Sequence, residues 1–251
     1  EKPSVPKFSR REALAAAVTE ENPRLASAFV NRVWAILLGR GLVHPVDQID
    51  SRHPPSHPDL LDWLARDFEQ HGYDVKRLIR QITLSRVYQL DSRPAPGENP
   101  PPQSFARALE KPLSGEQLFR SYLAATGHAP DAEGKIAGLT EAELRRAFVD
   151  RFPDLFPEEY HASLQQATFV TNSRLVDRLL DRSTGNLTDR LLALGSPDAQ
   201  VAEAFRRVLG RNAVEEELAQ ARRALERRPG EAGVKDLLWA LLASAEFQLN
   251  H

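Results

Sequence analysis

Apolar side chains recur every three or four residues in segment after segment of this 251-residue chain, and no stretch alternates apolar with polar as a half-buried strand would. From Pro23 to Leu38 the positions Leu25, Phe29, Val33, Ile36 and Leu37 mark one apolar stripe. Asn22 is a fitting N-cap, Pro23 suits the first helical position, and Gly39 can end the helix in the left-handed conformation. A second helix is expected from Ser56 or His57, with Pro58 and Asp59 in its first turn, to His71-Gly72, and a third from Asp74 to about Gln89. Further helices are expected at 114–127, 140–151, 158–171, 173–194, 197–209, 213–227 and 232–248. The expected fold class is all-α, a multi-helix bundle of about ten helices.

Residues 91–103 contain five prolines, at 94, 96, 100, 101 and 102, and almost nothing apolar. Proline removes a backbone donor and breaks a helix, so this stretch reads as a linker between an N-terminal helical half (1–90) and a C-terminal half (104–251) that can also pack as one domain. The segment 129–138 reads as mobile. The halves echo each other. Val75-Lys76-Arg77-Leu78-Ile79 with Leu84-Ser85-Arg86-Val87-Tyr88-Gln89-Leu90 aligns without gaps on Val234-Lys235-Asp236-Leu237-Leu238 with Ala243-Ser244-Ala245-Glu246-Phe247-Gln248-Leu249. Upstream, an apolar helix closes on Leu38-Gly39-Arg40 in one half and Leu209-Gly210-Arg211 in the other. Either the halves arose by duplication, and then the serines and aromatics should occupy equivalent places, or helical convergence explains the match.

Composition narrows the chemistry. With no cysteine, disulfides, zinc–thiolate sites, a thiol nucleophile and the attachment motif of a c-type haem are excluded, so any chemistry must use oxygen and nitrogen ligands; no cofactor is expected in this chain. A net charge of −2 offers no general attraction to phosphate backbones, and nucleic acid is not an expected partner. No run of about 18 apolar residues is present, so no membrane span is expected. The chain opens without Met, which reads as a piece of something longer. The tryptophans Trp34, Trp63 and Trp239 stand beside leucines and read as core, and Asn186-Leu187-Thr188 matches a glycosylation sequon.

Two polar clusters are candidate sites. His44, Asp47, Asp50, His53, His57 and Asp59 crowd into one inter-helix loop. Imidazole and carboxylate are the ligands for zinc, iron or manganese when thiolate is missing, so His44, His53, His57, Asp47 and Asp50 form a possible metal set. Against this, the loop's prolines suggest a rigid connector whose polar groups cap neighbouring helices. Asn31, Arg32 and Trp34, with Arg40, form the second cluster. Arg32 and Arg40 could bind an anion, or Arg32, close to the apolar stripe, could clamp the loop through Asp47 or Asp50. No nucleophile elbow or phosphate-binding glycine loop is present.

Asn31-Arg32-Val33-Trp34, Leu38-Gly39-Arg40-Gly41-Leu42-Val43, Pro45-Val46-Asp47, Pro55-Ser56-His57-Pro58-Asp59-Leu60-Leu61-Asp62-Trp63-Leu64-Ala65 and Ser85-Arg86-Val87-Tyr88 resemble the planctomycete PSD-one domain, a domain of unknown function. Asp236 to Phe247 resembles the end of the same domain, so the resemblance runs over nearly the whole chain from about residue 20. It implies a C-terminal module of large exported proteins that carry a cytochrome c-like domain elsewhere. The expected location is then extracytoplasmic, haem belongs to other domains of the parent protein, and the partners are those domains or a redox partner. It implies no catalytic residues. Three functions follow as expectations: a non-catalytic interaction or scaffold module; an enzyme with a metal or acid/base site in the 44–59 loop beside Arg32 and Arg40; or polymer binding, which needs a row of exposed aromatics from a chain with 7% aromatic residues.

Overall fold

The Pro23–Leu38 helix forms where its sequence places it. Asn22 Oδ1 accepts the Arg24 N–H at 3.0 Å, Pro23 occupies the first turn, and Gly39 closes the helix at φ 84°. In this computed structural model, which describes residues 8–20, 22–93, 97–152, 169 and 173–250, twelve α-helices are found and the only strands are a two-residue pair. The chain is all-α. It divides between Glu110 and Lys111 into two compact units.

The first unit contains α1 (Arg10–Thr19), α2 (Pro23–Leu38), α3 (Pro58–Gln70), α4 (Val75–Leu84) and a 3₁₀ turn, Arg86–Gln89. Helix α1, absent from the sequence reading, is capped by Ser9 and buries none of its side chains, so it offers no periodic apolar signal. Helices α2, α3 and α4 pack on one another around Val30, Trp34, Leu61, Leu64, Phe68, Leu78 and Ile82. Each such side chain removed from water contributes about 2 kcal/mol. The proline-rich stretch returns to this core: Ala108 N–H donates to Asp91 O at 3.0 Å, and Phe105 meets Trp34 edge-on at 5.4 Å.

The second unit contains α5 (Gly115–Thr126), α6 (Glu141–Val149), α7 (Arg174–Leu180), α8 (Leu187–Leu192), α9 (Pro197–Val208), α10 (Glu215–Arg227), α11 (Glu231–Leu242) and α12 (Ala245–Gln248). Strand β1 (Lys111–Pro112) pairs antiparallel with β2 (Leu249–Asn250). Tyr122 sits at the centre of the core, its ring 5.1 Å from Phe148 and 5.3 Å from Phe247. The helix expected at 173–194 is two helices, because Asp181 to Asn186 turns the chain and Asn186 Oδ1 caps α8 through the Asp189 N–H at 2.9 Å. Asn186 is 1% exposed and its Nδ2 donates to Asp181 O, so the sequon serves as a helix cap. In 129–138, Ile136 is buried and the Asp131 carboxylate accepts the Glu133 and Lys135 N–H groups. The helix expected at 158–171 lies outside the described residues apart from helical Phe169.

The sequence echo has a structural counterpart. α2, α3, α4 and the 3₁₀ turn match α9, α10, α11 and α12 in order, and the same element pairs pack in both sets. Gly39 and Gly210 both take positive φ. Ser85 and Ser244 have nearly the same backbone, φ −73°, ψ 154° and φ −67°, ψ 150°. Each hydroxyl donates to the carbonyl three residues earlier, at 2.5 and 2.6 Å, before the turn that carries Tyr88 or Phe247.

Candidate functional site

The 41–57 loop is built from Asn31 outward. α2 carries this amide into the core, where it is fully buried. Its Nδ2 donates to Val43 O and Val46 O, both at 3.1 Å, and its Oδ1 accepts the Val43 N–H at 2.8 Å. Buried backbone groups need partners, and one side chain supplies three of them. Gly41 makes the approach possible, since a Cβ there would lie 2.3 Å from Val43 O and 3.0 Å from the Asn31 amide atoms. At the other end the Ser56 N–H and hydroxyl both donate to Leu42 O, at 2.8 and 3.1 Å. The His44–Pro45 peptide is cis.

The charged residues distribute around this frame in small groups. Arg32 pairs with Asp47, so the helix–loop clamp is present, but Arg32 is exposed and not buried as its place beside the apolar stripe suggested. Asp50 accepts Arg52 Nη2 at 3.0 Å and the Arg52 N–H at 2.8 Å, with His53 Nδ1 3.0 Å away. The Arg52 guanidinium is the main reason that the Asp50 carboxyl lies below the usual range. His57 Nδ1 is 3.2 Å from Ser56 Oγ and its ring lies 5.8 Å from Phe105. Asp59 is an exposed residue of the first turn of α3. Among the described residues, no three histidines or carboxylates come together to hold a metal ion.

His44 and Arg40 face a different feature, a cleft of about 440 Å³ lined also by Gly39, Pro102, Arg107 and Glu110. Arg107 Nη1 donates to Ser92 O at 3.2 Å, while its Nε is buried and meets no acceptor. Sequence reasoning named Arg40 and missed Arg107, a lone cation after the prolines with no periodic or motif signal. A second cleft, about 480 Å³ in the second unit, is lined by Arg174, Lys235 and Trp239. Its charges are largely paired: Lys235 meets Asp177 at 2.9 Å and Asp181 at 2.6 Å, and Arg228 meets Asp236 at 2.6 Å.

The first unit also presents aromatic surface. Phe29 stacks on buried Phe68 at 5.1 Å, and Tyr73 meets the same ring edge-on at 5.2 Å, with Phe29 38% and Tyr73 43% exposed. Tyr73 is held at φ 60°, at a cost of about 1 kcal/mol, and its N–H donates to Phe68 O at 2.9 Å. Val75 and Ile79 of α4, four residues apart, are exposed on one face. Trp63 is 57% and Trp239 37% exposed, so only Trp34 of the three tryptophans is core.

The family model described as PSD1, protein of unknown function (DUF1553), matches residues 10–148. The chain belongs to this family. The match takes in the whole α2–α4 motif, the Asn31-pinned loop and the cleft of Arg40 and Arg107. No curated protein and no solved structure matches the PSD1 chain. Among its described residues no helix is long and apolar enough to cross a membrane.

Proposed function

We propose that this PSD1 chain is a non-catalytic helical interaction or scaffold module of an exported, cytochrome-associated multidomain protein. Its partners are other domains of the same protein or a redox partner, and haem is carried by those domains. The observation that carries the reading is the Phe29–Phe68–Tyr73 edge. Two partly exposed aromatic rings are braced against one buried ring, and Tyr73 is kept there at a conformational cost. Rigid aromatic side chains of this kind form the centres of interfaces, where burying them adds affinity with little loss of side-chain entropy. The polar 41–57 loop is occupied with structural bonds, as Asn31, Ser56 and Asp47 illustrate. The resemblance to exported cytochrome-linked proteins supplies the setting.

The test is titration calorimetry of the chain against each separately expressed domain encoded beside it in its gene. One of these is expected to bind with a Kd in the micromolar range typical of transient interfaces. A Tyr73→Ser/Ile79→Ser variant should weaken that binding at least tenfold while its melting curve stays near that of the parent. Binding by none of the domains, or undiminished binding by the folded variant, would overturn the proposal.

A further inference from the structure

The two copies of the Leu-Gly-Arg turn end differently. In the second unit Arg211 follows left-handed Gly210 and is gripped by two carboxylates. Its Nη1 and Nη2 donate to Glu217 at 2.7 and 2.8 Å, and its Nε and Nη2 to Glu246 at 2.6 and 2.7 Å. In the first unit Arg40 follows left-handed Gly39 at the end of the matching helix. The position that matches Glu246 is Val87, and Arg40 makes no hydrogen bond or ion pair among the described residues. It opens instead onto the 440 Å³ cleft, together with His44 and Arg107, whose Nε is buried without an acceptor. Among the described residues Glu110 is the one carboxylate in that lining, and it pairs with neither arginine.

A guanidinium drawn partly out of water is unfavourable unless an anion meets its planar fork, and the second unit shows how this architecture meets that need. We infer that the cleft of Arg40, Arg107 and His44 is a binding site for a small dicarboxylate, which supplies from solution the two carboxylates that Glu217 and Glu246 supply to Arg211. Arg40 and Arg107 are the binding residues, His44 lines the wall, and Glu110 competes for the same cations from the rim. The carboxylate pair around Arg211 is the anion pattern that this fold places on the matching arginine, so a dicarboxylate is the ligand expected, with phosphate the competing anion for the same guanidinium groups. This site is separate from the aromatic edge, so it stands or falls independently of the interaction reading.

The experiment is a titration of the full chain with succinate, followed by the arginine Nε–H resonances in ¹H–¹⁵N spectra, with inorganic phosphate at equal ionic strength as comparison. Saturable shifts of the Arg40 and Arg107 resonances are expected, with Arg40→Gln and Arg107→Gln each weakening binding at least tenfold and Glu110→Gln strengthening it. The exposed Arg223→Gln should leave it unchanged. The inference is overturned if neither resonance moves, if the two glutamine variants bind succinate as the parent does, or if phosphate binds more tightly than succinate.

Discussion

Replacing Asn31 should loosen the loop that carries His44 and cost the first unit much of its stability. The side chain is fully buried and makes three hydrogen bonds to the Val43 and Val46 backbone. Three bonds at about 1 kcal/mol each, plus the penalty for stranding a buried N–H and two carbonyls, place Asn31→Ala at about 3–5 kcal/mol. Asn31→Asp separates packing from hydrogen bonding, since it keeps the shape but turns a carboxylate oxygen towards two carbonyl oxygens. Burial among acceptors raises the folded-state pKa of that carboxyl above its unfolded value. Stability is then fullest below the unfolded pKa, where the O–H can donate to Val43 O, and is lost as pH rises through the folded pKa. The assay is urea unfolding in a Trp239→Phe background, where buried Trp34 reports on the first unit. A loss below about 1.5 kcal/mol for Asn31→Ala would refute the reasoning, because a water or a rearranged loop would then satisfy the same groups. So would an Asn31→Asp curve that runs parallel to the parent's between pH 4 and 7.

Gly41→Ala should cost about 2–4 kcal/mol, because the added Cβ would meet Val43 O at 2.3 Å, whereas Gly195→Ala, with open space around it, should shift the melting temperature little. Arg211→Gln should destabilise the second unit by about 1–3 kcal/mol, a range that reflects partial exposure of the triad. The Glu217 carboxyl lies below its ordinary value, chiefly through Arg211, so its contribution is present above the unfolded pKa and lost as pH falls through the lower folded one. A Glu217→Gln variant should accordingly lose less stability on acidification than the parent, which calorimetry in acetate and formate buffers would measure. Elemental analysis of the purified chain should find no stoichiometric metal, and one equivalent removed by His53→Ala would instead restore a metal role to the loop.

Most helices were legible because each carries its own stripe and its own caps. Asn22, Ser114 and Gly39 sit where propensity puts them. Helix α1 was not legible, since Leu14 and Val18 remain exposed and nothing in RREALAAAVT marks a buried face. The turn inside 173–194 is marked in the sequence by Asp181 to Asn186, six residues with no apolar side chain and Gly185 among them, and a single helix was expected only because apolar positions recur on both sides of it; the cap made by Asn186 is local side-chain chemistry. At the candidate site the residue types were visible but their grouping was not. Six histidines and aspartates within sixteen positions suggest convergence, yet direction in a loop is fixed by backbone bonds such as those from Asn31, which spacing does not encode. Arg107 is the clearest case: what makes it notable is a buried Nε without an acceptor, a property of its surroundings and not of its sequence neighbours.

The repeated motif sharpens where function should be sought. What the two copies share is what the backbone needs: a glycine at positive φ after the first helix, and a serine that closes the third helix onto the carbonyl three residues back. Such residues set geometry, and their agreement would be retained whatever either copy did. What differs is charge and exposure. Arg211 is neutralised within its own unit, while the arginine at the matching turn opens onto a cleft shared with a second cation. Phe247 is buried at 8% exposure, while its counterpart Tyr88 is 38% exposed. If both copies were only structural, the first would be expected to satisfy its arginine and cover its aromatics as the second does, because leaving either undone forfeits stability. That it does neither, in the unit that also holds Tyr73 at positive φ, makes the first unit the place where binding should be looked for and the second the reference that shows what the fold requires on its own.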